Sequence, residues 1–297
     1  MITIKQVEAF YWSVKLGTFT AAAARLHTTQ SAITKRIHEL ESVFGVVLFD
    51  RSGPRTTLTD RAGEIYGLAE GMLQHRDRML LQLKGNPDLT GRLRVGITEM
   101  TAMTWLSSLI RKAQARYPSV DLRPHLNLSG ELQRQVLAGD LDLVFLSDEY
   151  LHPGLDALAL GTVDFAWLGS PAILERGRIY SAKDIVEMTV IKQSGKSVLN
   201  TLCDRWLDPH VGRETVLAID SLIAMAGLAV AGLGVACLPR GYFARYVEDG
   251  RLAVMRTEQA SPSSQYYAMF RKEPGATLCR TVAELTAQCC DFGIEAR

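Results

Sequence analysis

The hydrophobic pattern changes period part-way along the chain. Apolar spacings of three and four govern the N-terminal segment, and alternation by two begins at Leu93. Ile4, Val7, Phe10, Tyr11 and Val14 place one stripe on a first helix, which Gly17 ends. Residues 19–44 then predict two short helices around a turn at His27, Thr28 and Thr29. Thr20 is the expected cap of the first, since a threonine oxygen there accepts a hydrogen bond from an early backbone amide. Ala22, Ala23 and Leu26 form its inner face, while Ile33, Ile37, Leu40 and Phe44 form that of the second, with Gly45 as its stop. Gln30, Ser31, Thr34, Lys35 and His38 are left pointing outward.

Residues 46–49 and 56–58 flank a turn-rich loop with two arginines, Asp50-Arg51-Ser52-Gly53-Pro54-Arg55, which reads as a wing. From Thr59, the expected cap, one long helix is predicted to Lys84. Ala62, Ala69 and Leu83 fall on a seven-residue repeat, beside a second row of Ile65 or Tyr66, Met72 or Leu73, and Met79 or Leu80. A stripe that spans about 39 Å at 1.5 Å per residue needs a partner, and the same helix of a second subunit is the expected one. Gly, Asn and Pro over residues 85–91 break the helix and mark a hinge.

Beyond the hinge, strands and helices alternate. Leu93, Val95 and Ile97 read as a strand, Leu106, Leu109, Ile110, Ala113 and Tyr117 as a helix face, and Val120, Leu122, Leu126 and Leu128 as a second strand. Ser129 opens another helix, and residues 141–146 form an apolar run suited to a buried parallel strand. Further strands are expected at 163–168, 188–191, 216–219, 252–254 and 266–270, with helices near 196–206, 221–231, 241–247 and 278–292. The region is an α/β domain.

Composition adds little until it is divided. The 297 residues are 47% hydrophobic and 22% charged with a formal net charge of +1, which excludes a uniformly basic nucleic-acid coat. Residues 1–61 hold eight Lys and Arg against five Asp and Glu, a local excess of +3 that leaves −2 for the remainder. The basic excess therefore sits with the outward-facing helix. No leader or membrane-spanning run is read, so the expected location is the cytoplasm. The five cysteines lack metal-ligand spacing and suit reduced, buried thiols. No Gly-x-Ser-x-Gly elbow, phosphate-binding loop or His-Glu-x-x-His pair occurs, so neither an enzyme nor a cofactor nor a metal is expected. The glycines of residues 226–234 sit in a helix and its exit, which is a structural context and not that of a nucleotide loop.

The run Phe19-Thr20-Ala21-Ala22-Ala23, Leu26-His27, Gln30-Ser31-Ala32-Ile33-Thr34-Lys35, Ile37, Leu40-Glu41, Gly45, Leu48-Phe49 and Asp50-Arg51 resembles the DNA-binding signature of LysR-type transcriptional regulators. The likeness continues ungapped through Leu58-Thr59 and Ala62-Gly63. It implies an N-terminal all-α winged helix-turn-helix with a long linker helix, followed by a two-lobed α/β effector domain like the type II periplasmic binding proteins. The resulting divisions are residues 1–58 for DNA binding, 59–84 for the dimerisation helix, 85–91 for the hinge and 92–297 for the effector domain. Lobe I would hold about 92–162 and 266–297, and lobe II about 163–265, with crossings near 161–164 and 264–267. The family also implies homodimers paired into tetramers, a small effector that is usually anionic, and RNA polymerase as a further partner.

On this reading Gln30, Ser31, Thr34 and Lys35 specify bases of double-stranded DNA, His38 contacts the DNA beside them, and Arg36, Arg51 and Arg55 mainly hold its backbone. Ser31 stands where the family often has Pro, and Lys35 where it often has Arg, so base preference does not transfer. Ligands of open α/β sheets bind outside the carboxyl ends of strands, beside helix N-termini. That rule selects Thr98, Met100 and Thr101; Leu128, Ser129 and Gly130; Gln193, Ser194, Lys196 and Ser197; and Asp220 with Ser221. Hydroxyls, amides and Lys196 suit a small organic acid, while Glu99 and Asp220 would oppose one if they face inward. The expected function is a ligand-controlled transcriptional regulator; the alternative is a ligand-independent DNA-binding architectural protein or repressor.

Overall fold

The computed structural model describes residues 1–50, 57–83, 89–273 and 276–293, and the chain divides into two compact units, Met1–Asn86 with Glu273–Thr277 and Pro87–Lys272 with Leu278–Arg297. The first unit begins with helices α1 (Ile4–Leu16), α2 (Phe19–Arg25) and α3 (Gln30–Phe44). Thr3 caps α1 in a reciprocal box with Gln6, and Gly17 closes it at φ +73°, a conformation that glycine adopts without strain. The cap of α2 is Thr18 and not Thr20: the Ala21 amide donates to Thr18 Oγ1 at 3.1 Å, and Thr20 falls inside the first turn. Thr29 caps α3 and Gly45 ends it.

Strands β1 (Phe49–Asp50) and β2 (Thr57–Leu58) pair antiparallel beyond α3, and the wing loop between them, with Arg51 and Arg55, lies outside the described residues. Helix α4 (Asp60–Leu83) follows, and Thr59 ahead of it donates its hydroxyl to the Val47 and Leu48 carbonyls. Lys84 and residues 85–88 of the expected hinge are likewise outside the described residues.

One core joins these helices. Phe10, Tyr11, Ile33, Ile37, Leu40 and Leu48 are fully buried in it, together with Ala62, Ala69 and Leu73 of α4. Tyr66 stacks on Tyr11 with ring centroids 5.2 Å apart. Two expectations change here. Phe44 is 37% exposed, because α3 outruns the core it packs on. The Ala62 and Ala69 stripe of α4 faces its own subunit's core and not a second copy. Another stripe of α4 remains uncovered: Leu68 is 75%, Met72 43% and Met79 60% exposed. Spacings of four and seven put these three on one helical face.

The second unit is built on one continuous sheet with two halves. Its elements in order are β3 (Gly91–Ile97), α5 (Glu99–Met103), α6 (Leu106–Arg116), β4 (Val120–Leu126), α7 (Ser129–Ala138), β5 (Leu143–Ser147), β6 (Leu155–Gly169), β7 (Ile179–Tyr180), α8 (Ala182–Val186), β8 (Thr189–Lys192), α9 (Val198–Leu207), β9 (Thr215–Ala218), α10 (Leu222–Val230), β10 (Val235–Pro239), α11 (Ala244–Glu248), β11 (Ala253–Val254), β12 (Arg256–Thr257), β13 (Ser263–Arg271) and α12 (Thr277–Ala287). Strands run in the order β4-β3-β5-β13-β6-β10-β8-β9, with β11 against β6 and β7 paired to β12.

Strand β6 is longer than its apolar run at 163–168 suggested, and its length makes the two halves. Residues 155–164 pair antiparallel with β13, and 165–169 pair antiparallel with β10. The chain therefore leaves the first lobe at Asp164 and returns at Ser263, which faces Asp164 in the ladder. All five residues of β5, which runs parallel to β3 and antiparallel to β13, are buried, as a strand covered on both faces requires. The last helix stops at Ala287, short of the expected 292.

Candidate functional site

The outward arc of α3 is the first site. Burying Ile33, Ile37 and Leu40 fixes the helix's rotation, so Gln30, Ser31, Lys35 and His38 are exposed and Thr34 half-buried beside them. Together with Glu39, which the pattern did not single out, they line one shallow open hollow. Arg36 is not brought to this face; at about 100° per residue it lies roughly 160° round from His38. Several polar atoms are already engaged. Thr34 donates its hydroxyl to the Gln30 carbonyl at 3.0 Å, Ser31 shares a 2.9 Å hydrogen bond with Thr29, and Lys35 pairs with Glu39 at 4.0 Å. Gln6 of α1 donates to the other oxygen of Glu39 at 2.9 Å. His38 meets Glu41, whose carboxylate also accepts from the Leu48 and Phe49 amides and so ties the helix to the root of the wing. Among the described residues the Gln30 side-chain amide makes no hydrogen bond, which leaves a donor and an acceptor side by side on the exposed face.

The second site is a cavity of about 280 Å³ in the C-terminal unit, where β6 and β13 cross between lobes. Of the residues chosen from sequence, Thr98, Met100, Leu128, Ser129, Gln193, Ser197 and Asp220 line it. Thr101 is buried behind Thr98, their hydroxyls 3.4 Å apart. Gly130 and Lys196 meet at the lip, the Gly130 amide donating to the Lys196 carbonyl at 3.0 Å; a Cβ at Gly130 would come within 2.7 Å of that of Lys196. Ser194 donates to Asp220 through its amide and hydroxyl at 2.7 and 2.5 Å, which holds the Asp220 carboxyl below the usual aspartate range. Ser221 is turned toward Glu99, and its hydroxyl also accepts from the Ala224 amide as the cap of α10.

Glu99, Leu126, Asn127, Phe165, Val198, Leu199, Leu222, Pro239 and Tyr266 also line the cavity and were not selected from sequence. Glu99, Asn127, Val198 and Leu222 adjoin selected residues, so extending each strand-to-helix turn by one position would have found them. Phe165, Pro239 and Tyr266 carry no such local signal. Phe165 pairs with Pro239 in the β6–β10 ladder, and Tyr266 pairs with Gly161 just before a register shift, so only sheet register places them together. Two of the helix-start amides are spent within the protein: the Leu222 amide donates to Glu99 at 2.5 Å, and the Asn200 amide to Ser197 at 3.1 Å. Among the described residues no lysine, arginine or histidine lines the cavity. The positive side chain expected to attract an organic acid is therefore not among the described lining residues.

Comparison with known proteins places both sites in one family. Residues 4–63 match the bacterial regulatory helix-turn-helix of the lysR family, and residues 87–289 match the LysR substrate binding domain. The chain belongs to the LysR family of transcriptional regulators. Its α3 is the second helix of the LysR helix-turn-helix, and its cavity lies in the LysR substrate-binding domain. The LysR relative AmpR of Rhodobacter capsulatus, a transcriptional activator, is 27% identical over 294 residues, covering 97% of each chain. Among solved LysR structures, an OxyR variant of Corynebacterium glutamicum with bound H2O2 superposes with a TM-score of 0.58 at 21% identity over 97% of this chain and 92% of that one. CrgA of Neisseria meningitidis gives 0.54 at 21% identity over 97% and 99%. Among the described residues of this LysR protein, no helix is long and apolar enough to cross a membrane, and no group of three His, Cys, Asp or Glu side chains could hold a metal ion.

Proposed function

We propose that this LysR-type regulator reads an interrupted palindrome in double-stranded DNA as a cytoplasmic homodimer, under the control of a small molecule held in the cleft between its lobes. The observation that carries the DNA reading is the rotation of α3. Three apolar residues are locked into the core, and the polar arc of Gln30, Ser31, Lys35 and His38 is left to face a major groove. The uncovered stripe of Leu68, Met72 and Met79 on α4 supports pairing of two subunits, because a second copy of the same stripe would cover it. Two paired heads then meet two half-sites. Closure of the lobes on an effector alters how the heads are presented, and DNA bend follows.

Genome-wide mapping of bound sites followed by footprinting supplies the cognate operator. On that operator Gln30→Ala is expected to lose roughly 1–3 kcal/mol, about 5- to 150-fold in affinity, and to relax one base position. Equal affinity of the unmodified protein for cognate and scrambled duplexes would reject sequence reading.

A further inference from the structure

The described walls of the cleft carry two charged side chains, and both are negative: Glu99 and Asp220. Some of the donors that could hold an anion are occupied from within. Ser221 and the Leu222 amide donate to Glu99 at 2.9 and 2.5 Å across the cleft, so the start of α10 already has its carboxylate. An entering anion meets like charge, and the start of α10 is not left to receive it. An ionised carboxylate offers about four acceptor sites. The bonds from Ser221 and Leu222 to Glu99, and from Ser194 to Asp220, leave acceptor capacity on both.

A separate feature also asks for a ligand. Tyr266 is 1% exposed and lines the same space, and among the described residues its phenol has no hydrogen-bond partner. Phe165 lines it too, equally buried. Aromatic rings beside carboxylates form a surrounding that stabilises a positive nitrogen, through ring quadrupole and ion pairing together. At about 280 Å³ the space sits just under the roughly 300–1,000 Å³ typical of drug-sized sites, which restricts the occupant to a small molecule.

Resting on the reading of this cleft as the effector site, we propose that the effector binds as a cation, a protonated amine or guanidine on a small apolar body. Glu99 and Asp220 share its nitrogen, and Phe165, Leu199 and Tyr266 pack on the rest. Glu99 thereby has two duties: it joins the lobes through α10 and it contacts the ligand, so occupancy is sensed where the lobes meet.

The test uses the full-length protein and three probes of one skeleton, phenethylamine, 2-phenylethanol and phenylacetate, titrated by calorimetry. The amine is expected to bind at least tenfold more tightly than the alcohol, and the acid more weakly than both. Glu99→Gln and Asp220→Asn keep an acceptor oxygen for the Leu222 and Ser194 amides, and the Ser221 and Ser194 hydroxyls can turn to accept from the new side-chain NH2, so melting temperature should hold. Each should cost the amine about tenfold and leave the alcohol within threefold. Tightest binding by phenylacetate, or amine affinity untouched in both variants, overturns the cation and keeps the effector cleft. Binding by none of the three at millimolar concentration overturns both.

Discussion

The dimer interface assigned to α4 can be tested at Leu68. Three of its neighbours on the helix, Ala62, Ala69 and Leu73, are consumed by the core of their own subunit, whereas Leu68 is 75% exposed. Leu68→Ala removes about three methylene equivalents, worth roughly 2.4 kcal/mol at about 0.8 kcal/mol each when fully buried. Only the exposed three-quarters is available to a partner, which leaves about 1.8 kcal/mol per subunit. A two-fold interface counts it twice, so dimerisation should weaken by up to roughly 3.6 kcal/mol, about 400-fold. Sedimentation equilibrium from nanomolar to micromolar protein reads this directly, and a thermal melt at a concentration where both proteins share one oligomeric state should show little change. Leu73→Ala is the contrasting variant: being buried in its own subunit, it should lose roughly 2–5 kcal/mol of folding stability. A dissociation constant for Leu68→Ala within threefold of the parent would show that this stripe is not the interface.

Other consequences concern the effector-binding unit. Arg94 donates to Asp142 through Nε, Nη2 and its backbone amide at 3.0, 2.6 and 2.8 Å. Burial pushes the Asp142 carboxyl up, but the Arg94 hydrogen bonds and charge outweigh it, and the net shift is downward. The pair's stabilisation is therefore full above the unfolded aspartate value of about 3.9 and is lost as pH falls through the lower folded value. Asp142→Asn should cost about 2 kcal/mol near neutrality and progressively less in acid, as paired melts of parent and variant across that range would show; an equal deficit at both ends contradicts the linkage. Two glycines in one stretch should respond oppositely. A Cβ at Gly234 would lie 2.3 Å from the Thr189 carbonyl oxygen, so Gly234→Ala should destabilise by roughly 1–3 kcal/mol. Nothing lies within 4 Å of a Cβ at Gly227 inside α10, and Gly227→Ala should stabilise by about 0.5–1 kcal/mol; melting temperatures moving in the same direction would refute the packing argument.

Local rules were sufficient for much of this protein. Helix α3 was legible from Ile33, Ile37 and Leu40 at one end of the argument and Gly45 at the other, because a 3.6-residue period and a left-handed stop are written in neighbouring positions. The outward arc followed at once, since knowing the inner face of a helix fixes the outer one. The cap of α2 was misplaced by two residues, at Thr20 instead of Thr18, because a threonine at either position can accept from an amide three residues on.

What the tertiary structure decided is which surface meets which. Helix α4 carries two apolar stripes, and only the packing of Tyr66 on Tyr11 and of Leu73 into the N-terminal core shows which one is left uncovered. Sequence placed strand ends and helix starts around a cleft, but the register of β6 with β10 and β13 brought Phe165, Pro239 and Tyr266 into it. The charge of the cleft depended on the same long-range geometry. Serines, backbone amides and Lys196 read locally as an anion site; folded together, Ser221 and the Leu222 amide turn to Glu99, Ser194 turns to Asp220, and the Gly130 amide turns to the Lys196 carbonyl. Periodicity is a property of neighbours along the chain, whereas the pairing of a donor with a carboxylate over a hundred residues away exists only once the lobes are formed.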